Sequence, residues 1–158
     1  IEEALDCVLR DGNGVFQPRL LAQRIFSDKD ALATVESLVF PALIEDFEKF
    51  KRRNAGEEVI VFESATILEK PQFDGLPDIV VLVDAPLELR ASRASSRDGA
   101  DIEAVRLRMA SQPLMNRLSQ GETDPRVDFA IYNDGTLPEL ADKVEELMSN
   151  IHKQFIKK

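Results

Sequence analysis

The sequence predicts an α/β protein built on a parallel sheet. Three observations carry this. Continuous apolar runs at Val59–Phe62 and Ile79–Val83, with a shorter one at Phe129–Tyr132, have the pattern of strands covered on both faces. Segments with the helical apolar spacing of three and four residues stand between and around them. Strands alternating with helices are the order of a parallel sheet.

From the start of the chain, Ile1, Leu5 and Leu9 share one helical face, so Ile1–Leu9 reads as the end of a helix. Asp11-Gly12-Asn13-Gly14 is a turn. Leu20, Leu21 and Ile25 mark a helix over Gln17–Phe26. Ser27-Asp28-Lys29-Asp30 has the form of a cap on Ser27 with an acid three residues later. The helix it opens carries Leu32, Val35, Leu38 and Val39, meets Pro41 and resumes through Phe50; the proline is expected to kink or restart it. Helical sequence returns from Leu87 to Leu118. Thr136-Leu137-Pro138-Glu139 has the form of a capping box with proline in the first turn, opening a last helix through Leu140, Val144, Leu147, Ile151 and Phe155. No repeat or low-complexity linker interrupts the 158 residues, which are expected to form a single domain.

The three strands end in Glu63-Ser64, in Asp84 and in Asn133-Asp134. In parallel sheets ligands bind beyond the carboxyl ends of the strands. These groups are therefore candidates for a site, although polar residues also end strands for purely local reasons.

The formal net charge of −9 argues against nucleic acid as a partner. No apolar run approaches the ~18 residues of a membrane span. The single cysteine, Cys7, excludes an internal disulfide framework and suits a reducing, cytoplasmic setting. With one cysteine and one histidine a zinc site of the usual ligands cannot be built. His152, in the terminal helix, is expected to be an exposed surface residue rather than a general base, and no G-x-S-x-G elbow or dinucleotide fingerprint occurs.

The basic residues are unevenly spread. Arg90, Arg93, Arg97, Arg106, Arg108 and Arg117 face only Asp98, Asp101 and Glu103 in that stretch, and no lysine occurs from Pro71 to Asp142. Arg90, Arg93 and Arg97 share a helical face, Asp98-Gly99 ends that helix, and Asp101 is placed to cap the next, which bears Arg106 and Arg108. Two arginine-bearing helices joined by a turn suit a flap over a small polyanion. A solvated helix pair with local ion pairs fits the same spacing.

Several segments together resemble the dephospho-CoA kinase family. They are Arg19-x-Leu21-x-x-x-x-Phe26-Ser27-Asp28, Val39-Phe40-Pro41-Ala42-Leu43, Glu63-Ser64-Ala65-Thr66-Ile67-Leu68-Glu69, Val83-Asp84-Ala85-Pro86, Arg93-x-x-x-Arg97-Asp98 followed by Arg108-x-x-x-Gln112, and Asp128-Phe129-x-Ile131-x-Asn133-Asp134-Gly135. They are collinear over nearly the whole chain. The resemblance implies a three-layer α/β/α fold of the P-loop kinase type, with a helical lid over about 88–120. It implies transfer of a phosphoryl group from ATP, with Mg²⁺, to the ribose 3′-hydroxyl of dephospho-CoA; the alternatives are another nucleoside-monophosphate-type kinase and a non-catalytic nucleotide- or partner-binding domain that has lost its P-loop. It implies Arg97 and Arg108 on the ATP phosphates with Arg93 in support, Asn133 near the adenine, and Glu63, Ala65 and Thr66 on the acceptor side. Departures are Phe40 where histidine is usual, Ala65 for proline and Glu63 for aspartate. No G-x-x-x-x-G-K-[ST] loop is present. On the resemblance, that loop with its lysine, its central strand and the acid that activates the acceptor are expected upstream of Ile1. No catalytic or metal-ligating residue is assigned within the chain.

Overall fold

The computed structural model describes residues 1–110 and 112–156. Ser111, inside the helical stretch expected from the sequence, lies outside the described residues. The chain divides into two compact units, Ile1–Val61 and Phe62–Lys158.

The first unit is helical: α1 (Glu2–Leu5), α2 (Pro18–Ser27) and α3 (Lys29–Arg53). Leu5, Ala31 and Val35 form its buried cluster, with Cys7, Leu21 and Ile25 packed on it. The opening helix is shorter than the sequence pattern indicates. Asp6 takes a left-handed conformation (φ 46°) and ends α1 at Leu5, after which the Glu2 carboxylate accepts the Leu9 N–H. The Asp11-Gly14 turn forms, with the Asp11 carboxylate accepting from the Asn13 and Val15 amides and Gly14 at φ 78°. The cap of α3 is Asp28 rather than Ser27. Asp28 accepts from the Asp30 and Ala31 amides, whereas the Ser27 hydroxyl donates back to carbonyls of α2. α3 is not restarted at Pro41 but continues to Arg53. The strand expected at Val59–Phe62 does not form. A strand needs a ladder partner. None pairs with this run among the described residues, and Val61 is 82% exposed.

The second unit holds β1 (Val81–Asp84), α4 (Leu87–Asp98), α5 (Ile102–Ala110), α6 (Pro113–Ser119), β2 (Phe129–Tyr132) and α7 (Leu137–Ile151), followed by a π-turn over His152–Ile156. The sheet is parallel, as expected, with Val81 opposite Phe129 and Asp84 opposite Tyr132. Asp128 sets the entry register, because its carboxylate accepts the Val80 N–H while its own amide donates to the Val80 carbonyl. Cover on both faces is not found: Val83 and Tyr132 stand open at the ends of their strands, while Ile131 is buried. Phe73, Ala85, Ala91, Val105, Leu114, Leu118 and Ile151 supply the rest of the unit's buried apolar residues.

The capping box at α7 forms as the sequence indicates: Thr136 accepts the Glu139 N–H and the Glu139 carboxylate accepts the Thr136 N–H. A Cβ on Gly135 would meet that carboxylate and push it out of the box. His152 is half-buried at the end of α7 rather than exposed, because the π-turn continues past it.

Candidate functional site

Both strands of the sheet run toward one edge, and the polar residues that end them meet there. Asp84, the last residue of β1, is buried; its carbonyl accepts the Asn133 N–H at 2.7 Å just beyond β2. The Asn133 carbonyl in turn accepts from Arg93 Nη1 of α4 at 2.9 Å. Lys143 of α7 donates to the Tyr132 carbonyl and pairs with Asp134, whose carboxyl it holds below the usual range. The loop after β2 is thus tied to β1, to α4 and to α7.

The arginine-rich stretch folds as a three-helix segment leaving from this edge. α4 stops at Gly99, which takes the left-handed cap conformation (φ 59°) that glycine adopts without strain. α5 then folds back along α4. Two ion-pair staples close this hairpin. Arg106 donates to Glu88 at 2.7 Å and to Glu103 at 2.6 Å. Asp98 accepts from Arg97 Nε at 2.8 Å and from Arg108 Nη2 at 3.1 Å. The hydrogen bond from Arg97, then that from Arg108, hold the Asp98 carboxyl below its ordinary value. The Arg97 guanidinium is pushed further up by Asp98 and, least among its causes, by the charge of Glu63. Two guanidiniums from two helices therefore converge on one carboxylate, with most of their surface in solvent. That geometry suits a phosphate, whose tetrahedral oxygens also offer pairs of acceptors that a guanidinium fork can bind bidentately.

The segment expected on the acceptor side is a loop and turn. Glu63 and Ala65 are exposed; the Thr66 amide donates to the Ser64 hydroxyl and the Thr66 carbonyl accepts from Glu69. Phe62 packs on buried Phe73, ring centres 6.0 Å apart, which anchors this loop. Glu69 reaches across to accept the Leu114 N–H at the start of α6. The structure thus brings Arg97 and Arg108 together, and Arg93 to Asn133. Of the acceptor residues only Glu63 registers electrostatically at Arg97, and Ala65 and Thr66 make no side-chain contact with the arginines among the described interactions.

Sequence reasoning missed the groups that hold these residues. Asp98 was visible as a helix end, but not as the shared acceptor for two arginines; the helix, Gly99, helix order was the available signal. Glu88 and Arg106 lie 18 residues apart, and Ser119, which donates to Asp84, lies 35 away from it, so no local spacing marks either pair. Among the described residues no group of three His, Cys, Asp or Glu side chains could hold a metal ion.

A family model described as dephospho-CoA kinase matches residues 3–139. The chain belongs to the dephospho-CoA kinase family. Arg93, Arg97, Arg108, Asn133, Glu63, Ala65 and Thr66 all lie within that match. The chain is 32% identical over 142 residues to a dephospho-CoA kinase of Bacteroides fragilis (strain YCH46), covering 88% of this chain and 66% of that protein. It is 36% identical over 115 residues to one of Porphyromonas gingivalis, covering 73% of this chain and 56% of that protein. The chain thus spans less than two thirds of the length of these family members. The fold is similar to a dephospho-CoA kinase from Campylobacter jejuni, with TM-score 0.52 and 19% identity over 92% of this chain and 70% of that one. This likeness agrees with the parallel sheet and the helices described above. No helix among the described residues is long and apolar enough to cross a membrane.

Proposed function

We propose that the protein carrying this chain transfers the γ-phosphoryl group of ATP to the ribose 3′-hydroxyl of dephospho-CoA. The observation that carries the reading is the convergence of Arg97 and Arg108 on the Asp98 carboxylate. Phosphoryl transfer depends on positioning and on neutralising charge spread over the phosphate oxygens. Two guanidiniums from adjacent helices supply that charge in a fork geometry. In this reading ATP phosphates take the solvent-facing side of both arginines. Arg93 holds the Asn133 backbone, and Asn133 shapes the loop beside the adenine. Glu63, Ala65 and Thr66 lie on the acceptor side.

Neither a phosphate-cradling loop nor an acid that activates the acceptor hydroxyl is assigned among these residues. Mg²⁺ accompanies the nucleotide in this reading, and the described residues offer no cluster of three carboxylate, His or Cys side chains to ligate it. The net charge of −9 suits small-molecule substrates rather than nucleic acid, and the reading places the enzyme in the cytoplasm.

The test is ADP release by the full-length gene product with MgATP and dephospho-CoA, set against a panel of nucleoside monophosphates. Turnover with dephospho-CoA is expected, with the KM for MgATP raised roughly tenfold or more in Arg97→Ala. Absence of turnover with dephospho-CoA, or preference for a nucleoside monophosphate, overturns the reading.

A further inference from the structure

Asp84 is the only buried charged residue among those described, and its contacts are not local. Its Oδ1 accepts from the Ser119 hydroxyl at 3.1 Å, and the same oxygen lies 3.6 Å from Arg90 Nε. Ser119 is the last residue of α6; Arg90 lies in the first turn of α4. The arginine-rich segment therefore leaves the sheet and returns to it at one carboxylate. The Asp84 carbonyl also holds Asn133 at the end of β2. A carboxylate withdrawn from water is retained only when its partners are good. Here the partners come from the two ends of the three-helix segment. Arg90 itself is largely buried, and its Nε has no hydrogen-bond acceptor, so its guanidinium is held in place by charge and packing rather than by a full hydrogen-bond set.

We infer that Asp84, with Ser119 and Arg90, is a clasp that fixes the base of the α4–α6 lid and thereby positions Arg97 and Arg108. Arg97 follows Arg90 by seven residues on the same helix, about 10 Å along its axis. A tilt of roughly 10° at the base would carry Arg97 about 2 Å off its position. Misplacement on the scale of 1 Å can cost up to ~100-fold in a phosphate-transferring site. Asp84 touches no expected substrate atom; it acts through the helix. This rests on the kinase reading for its effect on ATP, but the clasp itself is a property of the fold.

The test uses the full-length gene product with Ser119→Ala, which leaves Asp84 paired with Arg90, and Asp84→Asn. Amide hydrogen exchange is expected to speed up in α4–α6 and to stay unchanged in α7. The KM for MgATP is expected to rise about tenfold, the scale of a lost hydrogen bond to a charged group, with a smaller change in kcat. In an Arg97→Ala/Arg108→Ala background the same substitution is expected to change KM less than about twofold, because the residues through which it acts are gone. Unchanged exchange in α4–α6 overturns the clasp. An equal KM effect with and without the two arginines reduces Asp84 to general stability and overturns its positioning role. If the unmodified enzyme shows no turnover, the kinase reading fails, and hydrogen exchange alone decides the clasp.

Discussion

Arg108 on α5 donates through Nη2 to Oδ2 of Asp98, the last residue of α4, across 3.1 Å. The pair spans the Gly99 turn and sets the distance between the guanidiniums of Arg108 and Arg97. Both side chains are largely in solvent, so the arrangement contributes little to stability and much to local charge.

Arg97→Ala and Arg108→Ala are therefore expected to leave the melting temperature within about 2 °C of the parent, as exposed ion pairs do. Each should raise the KM for MgATP by roughly tenfold or more, the scale of a lost charge-assisted hydrogen bond to phosphate. Arg→Lys at either position should recover only part of the loss, because lysine keeps the charge without the fork. Steady-state kinetics on the full-length gene product reads this directly. An unchanged KM in both alanine variants would remove the phosphate-binding role.

What was legible in the sequence follows the range of each signal. β2 over Phe129–Tyr132 and the Thr136–Glu139 capping box depend on residues a few positions apart, and both appear where the pattern places them. The α4–α5 hairpin was legible as charge and as helix, turn, helix. Val59–Phe62 misled because an apolar run specifies a strand only where a neighbour offers a ladder. Ser27 misled for a different reason: serine and aspartate stood side by side, and the carboxylate took the cap while the hydroxyl folded back on α2. The contact of Ser119 with Asp84 has no sequence signature, since it joins two ends of a 35-residue excursion.

Asp124 provides a pH test in the loop before β2. Its carboxyl is held down to about 2, first by the hydrogen bond from the Arg126 side chain and then by that from the Arg126 amide. Arg126 also donates to the Leu68 carbonyl at 2.8 Å, so this pair ties the loop to the Glu63–Glu69 segment. A carboxyl lowered on folding adds stability that is complete above its unfolded pKa of about 4 and is lost as pH falls through the folded value. Asp124→Asn should melt below the parent at pH 7, and the gap should close between about pH 4 and pH 2. A gap of constant size down to pH 2 would show that the charge on Asp124 is not what stabilises the loop.

Phe73 is almost fully buried and carries the Phe62 ring, so it fixes the loop that leads into Glu63. Phe73→Ala should cost about 3–5 kcal/mol, the range for emptying a buried aromatic site. The milder Phe73→Leu keeps most of the volume and should fold. It is expected to raise the KM for dephospho-CoA while leaving that for MgATP within about twofold, because the lid arginines are held by α4 and α5 instead. A parallel rise in both constants would show that the Phe62–Phe73 contact also positions the α4–α5 arginines.

Pro41 lies inside α3, where it cannot donate the backbone hydrogen bond that the Ser37 carbonyl would otherwise receive. The helix nevertheless continues to Arg53 and ends in Lys51, Arg52 and Arg53, which suit the negative end of its dipole. Pro41 is exposed, so its ring is not held in place by a buried pocket. An interior proline costs a helix about 3 kcal/mol relative to alanine, and proline returns roughly 1 kcal/mol by restricting the unfolded chain. Pro41→Ala should therefore stabilise the helical unit by about 2 kcal/mol, read as a shift in denaturation midpoint at constant m-value. A neutral or destabilising result would show that the ring makes a contact worth at least that much, and Phe40 beside it would then be the first residue to examine by substitution.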